Sequence, residues 1–472
     1  MAPDDPVTAL GARASAERLG SPAFRAAHGV RLAYAAGSMA KGIAAPDLVI
    51  RMAKARLLSW YGAGGQRPVA IRSAVRRIAA AVGPAGPGGA PWGVNLLHPI
   101  GMPELEDATV DLFLEEGVRE VEAAAYIEVT PSLVRYRLTG LRAGPDGLPL
   151  PANRVLGKAS RLEVAEQFLS PPPPAVVAAL RDAGRITAEA AALASRLPLA
   201  DDVCAEADSA GHTDRRVALV LLPSVRRLRD ASAARHGFGG PGAAPAPRVG
   251  LAGGLGSPEA LAAAFAMGAD FVLTGSINQC TVEAATSDAV KDLLARAGPQ
   301  DMDLAPAGDM FEIGARVQVL RRGLMFGPRA NQLYELWRRY DGLDDIPPAR
   351  LAQVERQCFG RSVAAVWEET RRHYADAAPH ILEAAERNPK QKLAMVLRWY
   401  WIHANRLAMA GDEAGRADWQ VHCGPAMGAF NDWVRGTPME DWRSRHADEI
   451  AAALMTAAAR LLAGEGSGRH GD

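Results

Sequence analysis

Cysteine is scarce in this chain of 472 residues, and its four cysteines lie far apart in the sequence. They are Cys204, Cys280, Cys358 and Cys423, and no CxxC pair occurs. Zinc ribbons and disulfide frameworks need closely spaced cysteines, so the sequence argues against both. Such sparing use of cysteine is typical of a reducing compartment, and we expect a cytoplasmic location.

The chain also lacks net charge and long apolar runs. Its 53 basic side chains balance 53 acidic ones, which gives no support to the binding of nucleic acid. No apolar run is long enough to span a bilayer, and the N-terminal MAPDDPVTAL lacks the apolar core of a secretory signal. The hydrophobic content of 49% is a globular value. We therefore expect a globular protein that does not enter a membrane.

One stretch, RVGLAGGLGSPEALAAAFAMGADFVLTGS (248–276), reads as strand, glycine turn, helix, strand and second glycine turn. Ser257, Pro258 and Glu259 mark the helix start, with a capping hydroxyl, proline in the first turn and an acid near the N-terminus. Both strand ends present bare backbone N–H groups and small hydroxyls, which is an arrangement that binds phosphate. In a (β/α)₈ barrel, phosphate commonly binds after strands seven and eight.

The strand–turn–helix pattern recurs upstream of this stretch. Eight short strands are predicted, at 30–36, 57–61, 92–97, 118–125, 153–160, 202–207, 248–252 and 271–273. Strict alternation with helices implies a parallel sheet with helical crossovers. The pattern therefore predicts an α/β fold, a (β/α)₈ TIM barrel, with a doubly wound open sheet as the competing topology.

The predicted domains follow from this pattern. We expect an N-terminal extension at 1–29 and the barrel at 30–296, with a helical insertion near 170–200. Residues 297–465 show helical periods and almost no strands, which predicts a C-terminal helical subdomain, and 466–472 are expected to be a disordered tail. Seven of the nine tryptophans lie in the helical subdomain, where they form either its core or the wall of a substrate tunnel.

Several long stretches resemble the PfaD family, the trans-acting enoyl reductases of polyketide and polyunsaturated fatty acid biosynthesis. The resemblance covers about residues 30–460, and its stretches are AYAAGSMAKGI (33–43), GAGG (62–65), WGVNLLH (92–98), EADSAGHTD (206–214), AGGLGSPE (252–259), LTGSINQCTVEAATSDAVKDLL (273–294), DMFEIGARVQVLRRG (309–323), ANQLYELWRRYD (330–341) and HCGPAMGAFNDWVRG (422–436). It implies a flavin barrel that binds FMN. It also implies reduction by NADPH or NADH, and a 2-enoyl thioester substrate on an acyl carrier protein.

The FMN phosphate is expected at the two glycine turns. Glycine allows close backbone approach, and N–H groups and hydroxyls are neutral donors. The residues expected to hold it are Gly253, Gly254, Gly256, Thr274, Gly275 and Ser276. The alternative is that these are only tight turns.

Further flavin contacts are expected at two other strands. The resemblance implies that backbone at Ala36, Gly37, Ser38 and Met39 contacts the flavin ring, with Met39 packed on it. Asn95 lies in an apolar strand, where a buried amide needs partners such as the pyrimidine edge of a flavin. A simple βα turn and a structural Asn are the alternatives.

Lys158 is the first of two predicted catalytic residues, and it also counts as a cofactor contact. It lies near the end of the fifth strand among apolar neighbours, so it faces the barrel interior or extends to water at the rim. A cation there would stabilise negative charge at the N1/O2 side of a reduced flavin.

His212 is the second predicted catalytic residue, in the loop after the sixth strand. Related barrels carry Gly-Gly-His here, with the imidazole over the flavin, whereas this chain has Ala-Gly-His. Conjugate reduction needs a proton at Cα and a donor to the thioester oxygen, and an imidazole can serve either need. Asp208 and Asp214 either fix its tautomer or cap the next helix. The alternative is a loop histidine without a chemical role.

Substrate and partner contacts are expected beyond the eighth strand. Asn278 and Gln279 either line the mouth of the barrel or cap a helix. A basic cluster, suited to docking an acidic carrier protein or simply a solvated helix face, consists of Arg316, Arg321, Arg322 and Arg329. A homodimer is possible. The competing functions are a nitronate monooxygenase-like flavin oxidase and a flavin-free scaffold that docks carrier proteins.

Overall fold

The computed structural model describes residues 16–86, 88–213, 215–377 and 379–465. The expected tail at 466–472, Asp214 and the first fifteen residues of the expected extension lie outside these ranges. Within them, the chain forms two compact units. The barrel unit comprises the described residues up to Ser209, 215–285 and 429–465, and the helical unit comprises 210–213 and 286–428.

The barrel unit contains a closed barrel of eight parallel strands, which confirms the predicted TIM barrel. In chain order the strands are β1 (Tyr34–Ala36), β2 (Leu58–Tyr61), β3 (Trp92–Leu97), β4 (Glu120–Ala124), β5 (Arg154–Ala159), β6 (Asp202–Glu206), β7 (Arg248–Ala252) and β8 (Val272–Thr274). Each strand pairs with its neighbour in sequence, and β8 closes on β1 with Thr274 opposite Ala36. All carboxyl ends therefore meet at one rim.

Helices of the barrel unit alternate with the strands as predicted. They are α1 (Pro22–His28), α2 (Pro46–Lys54), α3 (Pro68–Val82), α4 (Pro103–Glu115), α5 (Pro131–Leu138), α6 (Leu162–Leu169), α7 (Pro174–Asp182), α8 (Ala188–Leu193), α9 (Ala218–His236) and α10 (Pro258–Ala266). Seven of these ten begin at a proline, whose fixed φ suits the first turn. Helices α7 and α8 form the insertion expected near 170–200. A hairpin of two-residue strands, Arg142–Ala143 and Pro149–Leu150, was not predicted.

The eighth helix position of the barrel is taken by the C-terminal helix α18 (Ala447–Leu462), numbered after the helices of the helical unit. It packs against α10, α2 and β1 and buries Ile450, Leu454 and Met455. Arg51 of α2 donates to Glu449 of α18 at 2.8 Å. The helical unit begins at 286, where 297 was predicted, and residues 429–465 lie in the barrel unit. No local pattern ties this helix to a strand so far upstream.

The helical unit is mainly helical, as predicted, and it also contains a pair of strands. Two antiparallel strands, β9 (Met302–Pro306) and β10 (Arg316–Leu320), form a hairpin. The alternating RVQVL of β10 was the missed signal. The helices are α11 (Asp288–Leu294), α12 (Phe326–Arg339), α13 (Pro348–Val354), α14 (Val363–Ala377), α15 (Pro379–Arg387) and α16 (Pro389–Ala410), and α17 (Ala426–Trp433) contains the boundary with the barrel unit. Short 3₁₀ turns cover 194–196, 276–280, 311–313, 413–418, 438–440 and 442–444, and a π turn covers 355–359.

The tryptophans of the helical unit pack largely as core. Trp399, Trp401 and Trp419 are buried, and Trp401 stacks on Phe311 with ring centroids 5.3 Å apart. All four cysteines are buried and none forms a disulfide in the described part of the chain, so Cys204 and Cys280 pack as small side chains, as expected. Among the described helices, none has the length and apolarity needed to cross a bilayer.

The amino end of the barrel is closed by α1 and a buried ionic network. Phe24 stacks on Phe271, which precedes β8, with centroids 4.4 Å apart. His28 lies 3.1 Å from Glu120 and 2.9 Å from Asp202, the first residues of β4 and β6. Arg248, the first residue of β7, donates to Asp202 at 2.6 and 2.7 Å. These contacts hold the extension against three strand starts.

Candidate active site

Three charged side chains converge near the carboxyl ends of adjacent strands. Lys158 on β5 places its Nζ 2.8 Å from Oε1 of Glu206, the last residue of β6. The same Nζ lies 3.8 Å from Oε1 of Glu122 on β4. The Lys158 side chain is only 11% exposed, so it faces the interior and is not a rim lysine in water. Burial favours the neutral amine, but the carboxylates of Glu206 and Glu122 hold the pKa of Lys158 above its usual value.

Glu122 is a site residue that the sequence analysis missed. It is fully buried, and burial raises its pKa despite the opposing charge of Lys158 and hydrogen bonds from Ser38. The backbone N–H of Ser38 donates to Oε2 of Glu122 at 3.2 Å, and the Ser38 hydroxyl donates to the same oxygen. Oε1 of Glu122 is buried without a hydrogen-bond partner among the described residues. Two acids on one face of an apolar strand, Glu120 and Glu122, were the signal that could have found it.

The glycine turns after β7 and β8 lie side by side, because Leu273 pairs with Ala252 where these strands end. Gly253 and Gly254 have φ of 88° and 73°, which favour glycine. A methyl group on Gly253 would lie 2.7 Å from the Asp208 nitrogen, so this glycine allows a close backbone approach. At Gly254 and Gly275 a methyl group would meet no atom within 4 Å. The space in front of both turns is open, which fits a phosphate cradle.

Two predicted phosphate contacts are already engaged within the chain. The N–H of Gly256 donates to the Gly254 carbonyl at 3.1 Å. The Thr274 hydroxyl lies 2.5 Å from the Tyr34 hydroxyl and accepts from Nδ2 of Asn278 at 3.0 Å. The open positions are thus Gly254 and Gly275, with Gly275 directly before the 3₁₀ turn that starts at Ser276.

Asn278 and Gln279 are both buried. Nδ2 of Asn278 also donates to the Thr274 carbonyl at 3.0 Å, so it fastens the turn to the end of β8. These bonds give Asn278 structural partners at the end of β8, and a contact of Asn278 or Gln279 with substrate stays a prediction.

The end of β1 and Asn95 of β3 lie in the same rim. A methyl group on Gly37 would approach the Leu273 side chain to 2.5 Å, so a larger residue here would have to displace that side chain. Met39 is half-buried. Oδ1 of Asn95 accepts the N–H of Gly64 at 2.9 Å, which holds the loop after β2 and favours a structural role for that oxygen. The flavin contacts predicted for Ala36, Gly37, Ser38, Met39 and Asn95 stay predictions.

His212 belongs to the helical unit, as do its neighbours 210–213, although the chain on either side belongs to the barrel unit. Its Nε2 lies 3.0 Å from Oδ1 of Asp309. Asp208 and Asp214 were predicted either to fix the tautomer of His212 or to cap the next helix, and Asp309 was not predicted as its partner. Asp309 is the first residue of the family stretch DMFEIGARVQVLRRG, a signal that sequence spacing alone could not connect to His212. The same unit joins this stretch to HCGPAMGAFNDWVRG through a bridge between Val319 and His422.

The predicted basic cluster does not form one open patch. Arg316 donates to Asn331 at 2.7 Å and to the Leu304 carbonyl at 3.0 Å, and Arg329 pairs with Asp418. Arg322 is exposed but pairs with Asp301 at 3.2 Å. Arg321 is also exposed. A docking role for the four arginines stays a prediction, with Arg321 and Arg322 as the accessible members.

Known proteins are similar to this chain over most of its length. Polyketide biosynthesis protein ThaF of Burkholderia thailandensis is 50% identical over 450 residues, which are 95% of this chain and 38% of ThaF. Polyketide biosynthesis protein PksE of Bacillus subtilis is 45% identical over 448 residues, which are 95% of this chain and 57% of PksE. The chain thus spans between a third and three fifths of these relatives.

A solved structure decides the family. The enoyl reductase domain of MlnA, from the macrolactin biosynthesis cluster of Bacillus amyloliquefaciens, is 38% identical. The match covers 95% of this chain and 99% of that domain, with a TM-score of 0.89. The chain belongs to the PfaD family. Within this PfaD-family protein, residues 340–419 also match a family model described as the inserted helical domain of acyl-carrier-protein S-malonyltransferase. That segment lies in the helical unit.

Proposed function

We propose that this PfaD-family protein is an FMN-dependent enoyl reductase. It reduces the α,β-double bond of 2-enoyl thioesters on an acyl carrier protein in trans, with NADPH or NADH as hydride donor, in polyketide or polyunsaturated fatty acid biosynthesis. The observation that carries the proposal is the buried Lys158 ammonium, which lies at the same barrel rim as two open glycine turns. Similarity to an enoyl reductase domain over 95% of the chain supports it.

The residues present fit a flavin mononucleotide. Gly254 and Gly275 leave open space beside the backbone at the ends of β7 and β8, where barrels commonly bind phosphate. Lys158 has three N–H donors, of which Glu206 accepts one, so Lys158 would still have donors for a bound flavin. When bound, FMN supplies hydride transfer from the nicotinamide to Cβ of the thioester.

The chain's own groups then have defined tasks. The Lys158 ammonium stabilises negative charge that develops beside it, and the low-dielectric surroundings strengthen this effect. Glu206 holds the ammonium in place. His212 provides the proton that Cα needs when hydride has reached Cβ, since an imidazole near neutrality can both carry and release a proton. Hydride and proton together saturate the double bond.

The test follows the two half-reactions separately. Anaerobic addition of NADPH to the purified yellow protein should bleach the flavin absorbance, and a crotonyl thioester on pantetheine or carrier protein should restore it. His212→Ala should keep the bleaching and slow the restoration. Restoration only by oxygen or a nitronate would indicate a flavin oxidase. A colourless protein that FMN cannot reconstitute would contradict any flavin enzyme and leave a carrier-protein scaffold.

A further inference from the structure

The connection between β9 and β10 is held firmly within the helical unit. The N–H of Ala307 donates to the Ala315 carbonyl at 2.9 Å across the base of this loop. From α16, Nε of Arg398 donates to the Gly308 carbonyl at 2.8 Å, and Nε1 of Trp401 donates to the Pro306 carbonyl at 2.8 Å. The backbone on the N-terminal side of Asp309 is therefore fixed by two side chains of one long helix.

Close packing reinforces these hydrogen bonds. A methyl group on Gly308 would lie 2.8 Å from Cβ of Trp401, so the loop is pressed against α16. On the other side of Asp309, Met310 and Phe311 are buried. Asp309 itself stays 62% exposed at its side chain, so its carboxylate adds no packing to the core. Its neighbours are anchored, and its own side chain is directed at a partner outside the loop.

That partner is His212, whose Nε2 lies 3.0 Å from Oδ1 of Asp309. A carboxylate only accepts hydrogen bonds, so Nε2 carries the hydrogen and Nδ1 becomes the nitrogen that gains and loses a proton. The carboxylate also stabilises the imidazolium form of the ring.

We infer that Asp309 is the positioning residue of His212: it fixes the ring orientation and tautomer and favours the protonated imidazole. The inference rests on the proposed function in one respect, since His212 is taken as the proton donor in thioester reduction. It extends that function by assigning to Asp309, in the DMFEIGARVQVLRRG stretch, the orientation of His212.

Other charged groups bear on this pair. Partial desolvation alone would raise the pKa of Asp309, but the hydrogen bond and charge of His212, with the charge of His422, lower it to about 2. Asp208 precedes His212 in the same loop, and Asp214 follows it outside the described residues. Asp309 therefore stays ionised at neutral pH, where its negative charge can stabilise the imidazolium form of His212.

The first test reads His212 directly, by ring-nitrogen NMR on isotope-labelled histidine, with His212→Gln to assign its signals among the ten histidines. Asp309→Asn should lower the pKa of His212 by about one unit and disturb its tautomer, because the carboxylate is replaced by a neutral amide. Asp309→Glu should restore most of the wild-type behaviour. Glu312→Gln, in the same loop but paired with Arg398, is the matched control and should leave the His212 signals unchanged.

The second test reads the half-reactions. Asp309→Asn should slow thioester-dependent flavin reoxidation about 10- to 100-fold at neutral pH and leave reduction by NADPH unchanged. If His212 ring signals are the same in Asp309→Asn as in wild type, the inference is wrong. If the signals move but His212→Ala reoxidises normally, the positioning contact stands and the proton-donor role in the proposed function fails. These two failures are therefore distinguishable.

Discussion

The two ends of the barrel both bury charged side chains, but they arrange them differently. At the amino end, His28 lies between Glu120 and Asp202, and Arg248 grips Asp202 through two hydrogen bonds. At the carboxyl end, one oxygen of Glu122 lacks a hydrogen-bond partner among the described residues, and Lys158 contacts it only at 3.8 Å. Oε1 of Glu120 at the amino end also lacks a hydrogen bond within the described chain, but it lies 3.1 Å from Nδ1 of His28, so its charge is closely paired. A closely paired network serves stability, whereas a buried carboxylate whose cation lies at 3.8 Å indicates a site that binds something else.

The largest expected effect comes from disrupting the ionic network at the amino end of the barrel. His28→Ala leaves the carboxylates of Glu120 and Asp202 buried with one partner fewer. Removing one member of a buried ion pair costs about 3–5 kcal/mol, so the free energy of unfolding should fall by that amount. Urea unfolding measures it. Enoyl reduction per folded molecule should stay at the wild-type level. A loss in the free energy of unfolding below about 1 kcal/mol would show that the network does not stabilise the fold as proposed.

The next effect breaks the carboxyl end. Lys158→Met removes the cation, so enoyl reduction should fall about 10²- to 10³-fold, the usual cost of losing one preorganised electrostatic donor. Steady-state rates with a crotonyl thioester measure it. Lys158→Arg, which keeps the charge, is the matched control for folding and should retain FMN. A Lys158→Met enzyme within threefold of wild type would remove Lys158 from the mechanism.

The dependence of stability on pH tests the amino-end network without any substitution at the carboxyl end. The neighbouring carboxylates overcome burial and raise the pKa of His28 from 6.5 to about 9. Protonated His28 stabilises the fold fully below pH 6.5, and this contribution declines as the pH rises through about 9. The contribution of protonated His28 to the free energy of unfolding amounts to about 3 kcal/mol. Wild type should therefore lose more stability than His28→Gln in urea melts across this range, and parallel pH profiles would contradict the assignment.

The smallest expected effect is at the glycine turn after β8, where the FMN phosphate is predicted to bind. Gly275 has φ of −124°, which other residues adopt, and a methyl group there meets nothing within 4 Å. Gly275→Ala should keep the wild-type melting temperature of the apoprotein but weaken FMN binding about tenfold, because the methyl group occupies the phosphate space. Equilibrium dialysis measures the affinity. Gly250→Ala should have the opposite effects, a less stable barrel and no direct change at this turn. Its methyl group would lie 2.4 Å from the Phe271 ring.

Local sequence patterns predicted most of the barrel. All eight strands, the insertion and both glycine turns follow from periodicity and turn residues, and Lys158 stood out as a charge within an apolar strand. The missed features depend on contacts between distant segments. The α18 helix completes the barrel from the far end of the chain, and Asp309 reaches His212 across 97 residues. Glu122 was not predicted, although Glu120 and Glu122 alternate along an apolar strand. The sequence does not show which cation lies beside a buried acid, and without that partner no role could be assigned to it.

The proposed function is the reduction of enoyl thioesters at the charged carboxyl end of the barrel. Its most direct test is the mass of the acyl group on a crotonyl carrier protein after anaerobic incubation with NADPH and the FMN-loaded enzyme. The account predicts that the acyl chain gains two hydrogens with wild type and only slowly with Lys158→Met. An acyl chain that keeps its double bond, while NADPH reduces the flavin normally, would contradict the account.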